Sequence, residues 1–306
     1  MAAKVWAIGA GKGGVGKTFI TSSLGITLSK FNHSVLLIDF DASGANLHTC
    51  FGLKLSDRNL RSYFSGNKTR LADLIQGTDV PRVSMIQGFW DSWSSNEFTV
   101  EQINKFVSDC KSMPYDYVLV DLGAGASVTN LEIFRHADEK ILISNPEPTT
   151  VEKTYRFIEA FLCSEIKDNA TAEAKLNLEG TLRKYREQYH AQPFSFRTFL
   201  KSSNGFSFDY FDGFGKSPIR LIINSTRSQP DQNLGYSIKS VCNKYYDLSL
   251  DYVGGIDFDN AVWQSIKVRR PFLLEKPFTP LAGQFLSITK YLVAPDSGAN
   301  YFKAAV

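Results

Sequence analysis

The chain has 306 residues, 43% of them hydrophobic, and a net charge of +3. That is apolar matter enough for one large core or two modest ones, and such mild basicity neither demands nor excludes nucleic acid. No apolar run reaches the roughly 18–20 residues that a membrane-spanning helix needs, and the first one, "VWAIGAG", is too short for a signal peptide.

In chain order, "KVWAIG" (4–9) is a short apolar run before glycines and reads as a strand. Residues 17–30 place Ile20, Leu24, Ile26 and Leu28 among polar neighbours and read as a helix. "SVLLID" (34–39), "YVLVD" (117–121), "KILIS" (140–144) and "IRLIIN" (219–224) are near-continuous apolar runs. Without alternation, they are expected to be strands covered on both faces. Helical patterns separate them at 99–112, 148–163 and 231–247, followed by a short strand at Leu250–Val253 and a last helix at Leu281–Val293. Strands alternating with helices predict an α/β fold: a doubly wound, mostly parallel sheet with helices on both faces. No Pro/Gly/Ser-rich linker divides it, so residues 1–306 are expected to form one domain.

The rhythm stops between Ser164 and Pro218. Leu178, Leu182, Tyr185 and Tyr189 sit at helical spacing, then seven phenylalanines crowd residues 194–214. Two readings stand: a helical, Phe-rich insertion capping the sheet, or a surface for a partner, since aromatics concentrate at interface hot spots. Cys50, Cys110, Cys163 and Cys242 form no CxxC pair, and His33, His48, His136 and His190 do not pair at ligand spacing. Buried free thiols in a reducing cytoplasm are expected.

Gly11, Gly16, Lys17 and Thr18 satisfy G-x-x-x-x-G-K-[ST] between a strand and a helix. Loop glycines let successive N–H groups face phosphate oxygens, and the helix that follows presents its positive end to the same anion. Gly11, Gly13, Gly14, Val15, Gly16, Lys17, Thr18 and Phe19 are therefore expected to bind nucleotide, Lys17 at the β- and γ-phosphates and Thr18 on Mg²⁺. Asp121 ends an apolar strand and is placed for the metal shell, and Gly123 and Gly125 free the next segment to approach a γ-phosphate. Asp39 and Asp41 follow another strand end: one could join the metal shell while the other orients water, the alternative being that Asp41 caps the next turn. Lys12 is surplus, because a single cradle needs one lysine.

"KGGVGKT" resembles the deviant Walker A motif of the MinD/ParA family of ATPases, and the likeness runs along most of the chain, least at 164–218. The resemblance implies ATP and Mg²⁺ as cofactors and two subunits closing face to face around two ATP molecules. It implies that Lys12 touches phosphate in trans, a cation supplied from outside like an arginine finger. Asp41 falls on the residue that helps activate water, and Asn46 on one near the dimer face. Asn224 falls on an adenine-reading asparagine, and 256–259 on the late adenine-side loop, with Asp257 where the family usually has proline. "DLGAG", "NPEPTTVEKTY" and "GGIDFDNAVWQSIKVRRPF" most resemble the flagellar number regulators, the FlhG branch. That implies a cytoplasmic protein, including at the inner membrane or a cell pole, with a flagellar GTPase or basal-body component as partner.

Two departures stand out. The branch usually carries an extension ahead of the P-loop, which here begins ten residues in. Membrane-cycling relatives end in a basic amphipathic helix, whereas Pro295 and Gly298 interrupt "YLVAPDSGANYFKAAV", so a C-terminal membrane-targeting helix is not expected. The alternative is a ParA-type DNA-partitioning ATPase, for which "KVRR" (267–270) is a thin basic patch. A further rival is an iron–sulfur carrier or amidotransferase-type ligase on the same fold; the carrier usually needs paired cysteines.

Overall fold

The computed structural model describes residues 2–41, 44–65, 69–89, 98–169, 180, 183, 184, 187 and 218–294. The helical pattern at 178–189 (apart from those four positions), the phenylalanine-rich run at 194–214 and the C-terminal residues from Pro295 onward lie outside the described residues. In chain order the elements are β1 (Lys4–Ala10), α1 (Lys17–Lys30), β2 (Val35–Phe40), α2 (Leu47–Cys50), α3 (Leu60–Phe64), β3 (Gln76–Gly77), β4 (Val83–Ile86), α4 (Val100–Lys111), β5 (Tyr117–Ala124) and α5 (Val128–His136). Then come β6 (Glu139–Ser144), α6 (Pro148–Asn169), β7 (Ile219–Thr226), α7 (Gln229–Val241), β8 (Leu250–Asp257), α8 (Asn260–Lys267), α9 (Phe272–Glu275) and α10 (Pro280–Val293).

The eight strands form one sheet in the order β3-β4-β2-β5-β1-β6-β7-β8, and only the short β3 runs antiparallel. The strands lack alternation because both faces are covered. In β1, Val5 and Ala7 face one apolar cluster, while Trp6, Ile8 and Ala10 face the other. In β5, Val118, Val120 and Leu122 belong to the first cluster and Tyr117 and Leu119 to the second. Most residues of these strands are thus apolar whichever way the side chain points.

Helix α1 is more buried than its pattern suggests, with Thr21, Ser22, Ser23 and Thr27 also hidden between the sheet and α10. The hydroxyls of Thr21, Ser22 and Thr27 donate to carbonyls of their own helix, at 3.0, 2.9 and 2.8 Å, which makes that burial tolerable. Gly25 allows the helix to lie on β2, since a Cβ there would meet Leu37 Cδ2 at 2.7 Å. Helix α4 starts at a reciprocal cap: Thr99 Oγ1 accepts from the Gln102 amide at 3.2 Å, and Gln102 Oε1 accepts from the Thr99 amide at 2.9 Å.

Some boundaries differ from expectation. Helix α6 continues to Asn169, and the pattern at 231–247 divides into α7 and one wide π turn over Cys242–Tyr246, closed by Asp247 at φ 52°. Strand β4 was not expected: its run is short, Ser84 interrupts it and Pro81 precedes it. Helices α5, α8 and α9 were likewise not expected, being short segments that tertiary contacts hold.

Candidate nucleotide site

The expected residues converge at the carboxyl ends of β2, β5, β1 and β7, with β6 between the last two. The loop after β1 runs Gly11 to Gly16, whose φ of 90° lies in the left-handed region that only glycine adopts cheaply. Gly16 caps α1 without any side-chain acceptor, so the first-turn amides are left for an anion. The loop is clamped from both sides. A Cβ on Gly11 would stand 2.1 Å from the Lys153 carbonyl oxygen on α6, and one on Gly16 would stand 2.3 Å from Asn224 Nδ2. Asn224 itself donates to the Val15 carbonyl at 2.8 Å. Sequence reading assigns Asn224 to adenine; its observed bond braces the phosphate loop.

Lys17 is 7% exposed and lies near Asp121, whose carboxyl it helps to lower. Thr18 Oγ1 donates to Asp121 Oδ2 at 2.7 Å and Thr21 Oγ1 to Asp121 Oδ1 at 3.3 Å. Asp39 on β2 stands in register beside Asp121 on β5, and both are buried. Burial pushes both carboxyls above the usual carboxylate range; the neighbouring Asp121 raises Asp39 further, and Lys17 and Thr18 partly offset the rise at Asp121. Asp39 also does the capping that sequence reading weighed for Asp41: its oxygens accept from the amides of Asp41 at 3.2 Å and Leu47 at 2.8 Å. Asp41 is half-buried and approaches the Gly123 backbone, where a Cβ would meet its Oδ1 at 3.4 Å.

A divalent cation fits this group. Asp39 and Asp121 are hard oxygen donors whose mutual repulsion and burial a cation would relieve, and Thr18 adds a hydroxyl beside them. Phe19 enters differently than expected: its ring is core, edge-on to Phe272 and Phe285 at 6.0 and 5.5 Å, so only its backbone amide is available to a phosphate.

Lys12 stands at the rim, 39% exposed, and its Nζ donates to Glu147 Oε2 at 2.9 Å and to Thr149 Oγ1 at 3.0 Å. The hydrogen bond and charge of Lys12 hold the Glu147 carboxyl below its ordinary range. No role follows for Glu147 or Thr149 from sequence, because 135 and 137 residues separate them from the lysine. Asn130 was also missed. It is buried, and its Nδ2 donates to the carbonyls of Gly123 at 3.1 Å and Gly125 at 3.0 Å, fixing the loop after β5. Gly125 takes φ 83° and donates its amide to Ala10 at 2.9 Å. Asn46 is exposed and donates to the Gly44 carbonyl at 2.6 Å.

Asp257, standing where a proline was anticipated, is a hub. It accepts from Thr226 Oγ1 at 2.7 Å, Gln232 Nε2 at 3.1 Å and Gln284 Nε2 at 2.7 Å, joining β7, α7 and α10 beside Asn224. Burial tends to raise its carboxyl, but the three donors outweigh that and hold it below the usual 3.8. Asp257→Ala is expected to cost about 1–3 kcal/mol by orphaning these donors. A depressed folded-state pKa gives stability that is present above the unfolded value and lost as pH falls below it. Unfolding curves of wild type and variant should therefore differ at neutral pH and converge below about pH 3.8; equal stability at neutral pH would remove the hub.

A family model described under ParA as the NUBPL iron-transfer P-loop NTPase matches residues 2–169. The chain is 30% identical over 166 residues to the flagellum site-determining protein YlxH of Helicobacter pylori, covering 51% of this chain and 52% of that protein. It is 24% identical over 272 residues to the antiactivator FleN of Pseudomonas aeruginosa, covering 87% of this chain and 78% of that protein. FleN aside, the chain spans about half the length of the first curated relatives it matches. Its fold is that of the septum site-determining protein MinD of Pyrococcus horikoshii, solved with Mg-ADP: the TM-score is 0.66 at 19% identity, over 97% of this chain and 99% of that one.

Proposed function

This chain belongs to the ParA/MinD family of P-loop NTPases, and on that premise we propose that it is a Mg²⁺-dependent ATPase that dimerises on ATP and hydrolyses it slowly. The ATP-bound dimer sets the placement or number of a cell structure. The observation that carries this reading is Lys12, a cation beyond what the cradle needs, held at the exposed rim by Glu147 and Thr149. A cation so placed is suited to the phosphates of a facing subunit. A flagellar role is the finer reading, supported by the likeness to YlxH, with a flagellar GTPase or basal-body component as the partner of the dimer.

In this reading the amides of Gly11–Thr18 cradle the phosphates, Lys17 meets the β- and γ-phosphates and Asp41 orients the attacking water. Thr18, Asp39 and Asp121 would hold Mg²⁺, which supplies charge neutralisation on the phosphoryl oxygens. Asn130 keeps Gly123 and Gly125 in place for the γ-phosphate. Asn224 holds Val15 and Gly16 at the adenine side, and the chain acts at the cytoplasmic side of the cell. The cysteines weigh against the iron-transfer activity in the family model's description. Burial pushes the thiols of Cys50 and Cys242 up to about 12 and raises that of Cys110 well above its ordinary value, whereas metal ligation needs thiolate.

With a hydrolysis-blocked ATP analogue and Mg²⁺, light scattering is expected to show the dimer mass, reverting to monomer with ADP. A monomer under both conditions, at concentrations well above micromolar, would sink the proposal. Asp41→Ala should trap the dimer while lowering turnover roughly a hundredfold or more, the range for lost proton-transfer assistance.

A further inference from the structure

We infer that the outer face of α8, with the turn that follows it, docks on an anionic bilayer surface. Helix α8 already has a satisfied inner side. Ala261 and Val262 pack on the core, and Ser265 is buried with its hydroxyl donating to the Val262 carbonyl at 2.8 Å. Its outer side should then be polar. Instead Trp263 is 64% exposed, Ile266 40% and Val268 61%. Trp263, Ile266 and Lys267 recur at the spacing of one helical face, and the Lys267 ammonium lies 5.2 Å over the Trp263 ring. An indole with a cation above it is the amphipathic pairing that settles at the headgroup level of a bilayer.

The charge matches. Lys267, Arg269, Arg270 and Lys276 follow within ten residues, against the single carboxylate of Glu275, which pairs with Arg270 at 3.2 Å. Each cation near an anionic leaflet strengthens binding about fivefold. The turn is built rather than slack: Arg269 adopts φ 56°, and its carbonyl packs where a Cβ on Gly52 would come within 2.8 Å. Beyond α9, Phe278 is also 99% exposed. Trp263, Ile266 and Val268 project from a short helix and its turn. Insertion among headgroups asks for no more than projecting apolar tips with cations behind them.

The test is co-sedimentation of the full chain with phosphatidylglycerol/phosphatidylcholine vesicles and with phosphatidylcholine vesicles alone, in ADP and in a hydrolysis-blocked ATP analogue. Binding to the anionic vesicles in either nucleotide, weakened by salt, is the expected result, so failure of the dimer model leaves this test intact. The double variants Trp263→Ser with Ile266→Ser, and Lys267→Glu with Arg270→Glu, should each bind at least about tenfold more weakly, with unchanged thermal unfolding because all four groups are exposed or partly so. In the wild type, bromine-labelled acyl chains should quench an indole emission that the Trp263→Ser variant lacks. No sedimentation in either nucleotide, equal binding to neutral vesicles, or variants binding like wild type would overturn the inference, as would capture of duplex DNA in place of vesicles.

Discussion

Lys17→Ala is expected to weaken both ATP and ADP binding by roughly tenfold to over a hundredfold, the equivalent of a lost charge-assisted bond of about 1.5–3 kcal/mol. The environment explains why no neighbour would compensate. Lys17 is 7% exposed and sits near Asp121, which has Asp39 beside it in register. Without the ammonium, an arriving phosphate meets two buried acids with less opposing charge. Titration calorimetry with both nucleotides measures the effect, and an affinity within about threefold of wild type would show that the loop amides alone hold the phosphates. The thermal midpoint of the nucleotide-free variant separates lost binding from lost folding.

Gly11→Ala is expected to damage both binding and stability. The new methyl would sit 2.1 Å from the Lys153 carbonyl oxygen and 2.4 Å from its carbon, so it meets backbone and no side chain can swing aside. Either the loop or α6 must retreat, at a cost of about 1–3 kcal/mol as in overpacked cores. Retreat of α6 would also carry Glu147 and Thr149 away from Lys12. Gly13→Ala is the internal comparison: its nearest neighbour would be Ala124 Cβ at 3.7 Å, an ordinary contact. Calorimetric unfolding should show a fall of several degrees for Gly11→Ala and little for Gly13→Ala; similar midpoints would mean that the loop and helix are not tightly seated.

Residues whose chemistry is local were readable from the sequence. Gly11, Gly16, Lys17 and Thr18 lie close together in sequence, across one loop and the start of α1, and the central strands announce themselves because they are covered on both faces. Residues that act across the fold were not readable. Glu147 meets Lys12 only when β1 and β6 become neighbours, and Asp257 collects donors from β7, α7 and α10. Asp39 caps the Leu47 amide eight residues on, a bond that its place inside an apolar strand run does not announce. Helix α8 escaped notice for a different reason: Asn260–Lys267 spans only eight residues, too short a window for helical periodicity to stand out from its surroundings.

The strand order also has a consequence for how the molecule is made. Strand β1 lies between β5 and β6, with Lys4 paired to Tyr117 and Trp6 to Glu139. The first strand to leave the ribosome therefore waits for more than a hundred residues before its neighbours exist, on the order of ten seconds at roughly 5–20 residues per second. Through that interval an apolar segment is without its partners, a natural point for chaperone capture. The cradle closes later still, when Asn224 on β7 reaches Val15. A nucleotide that recognises the closed cradle thus meets only chains synthesised past β7. At about a hundred times its dissociation constant it would add about 2.7 kcal/mol to their stability. Ligand occupancy then separates chains that have folded through β7 from shorter ones during biogenesis, before any regulatory cycle begins.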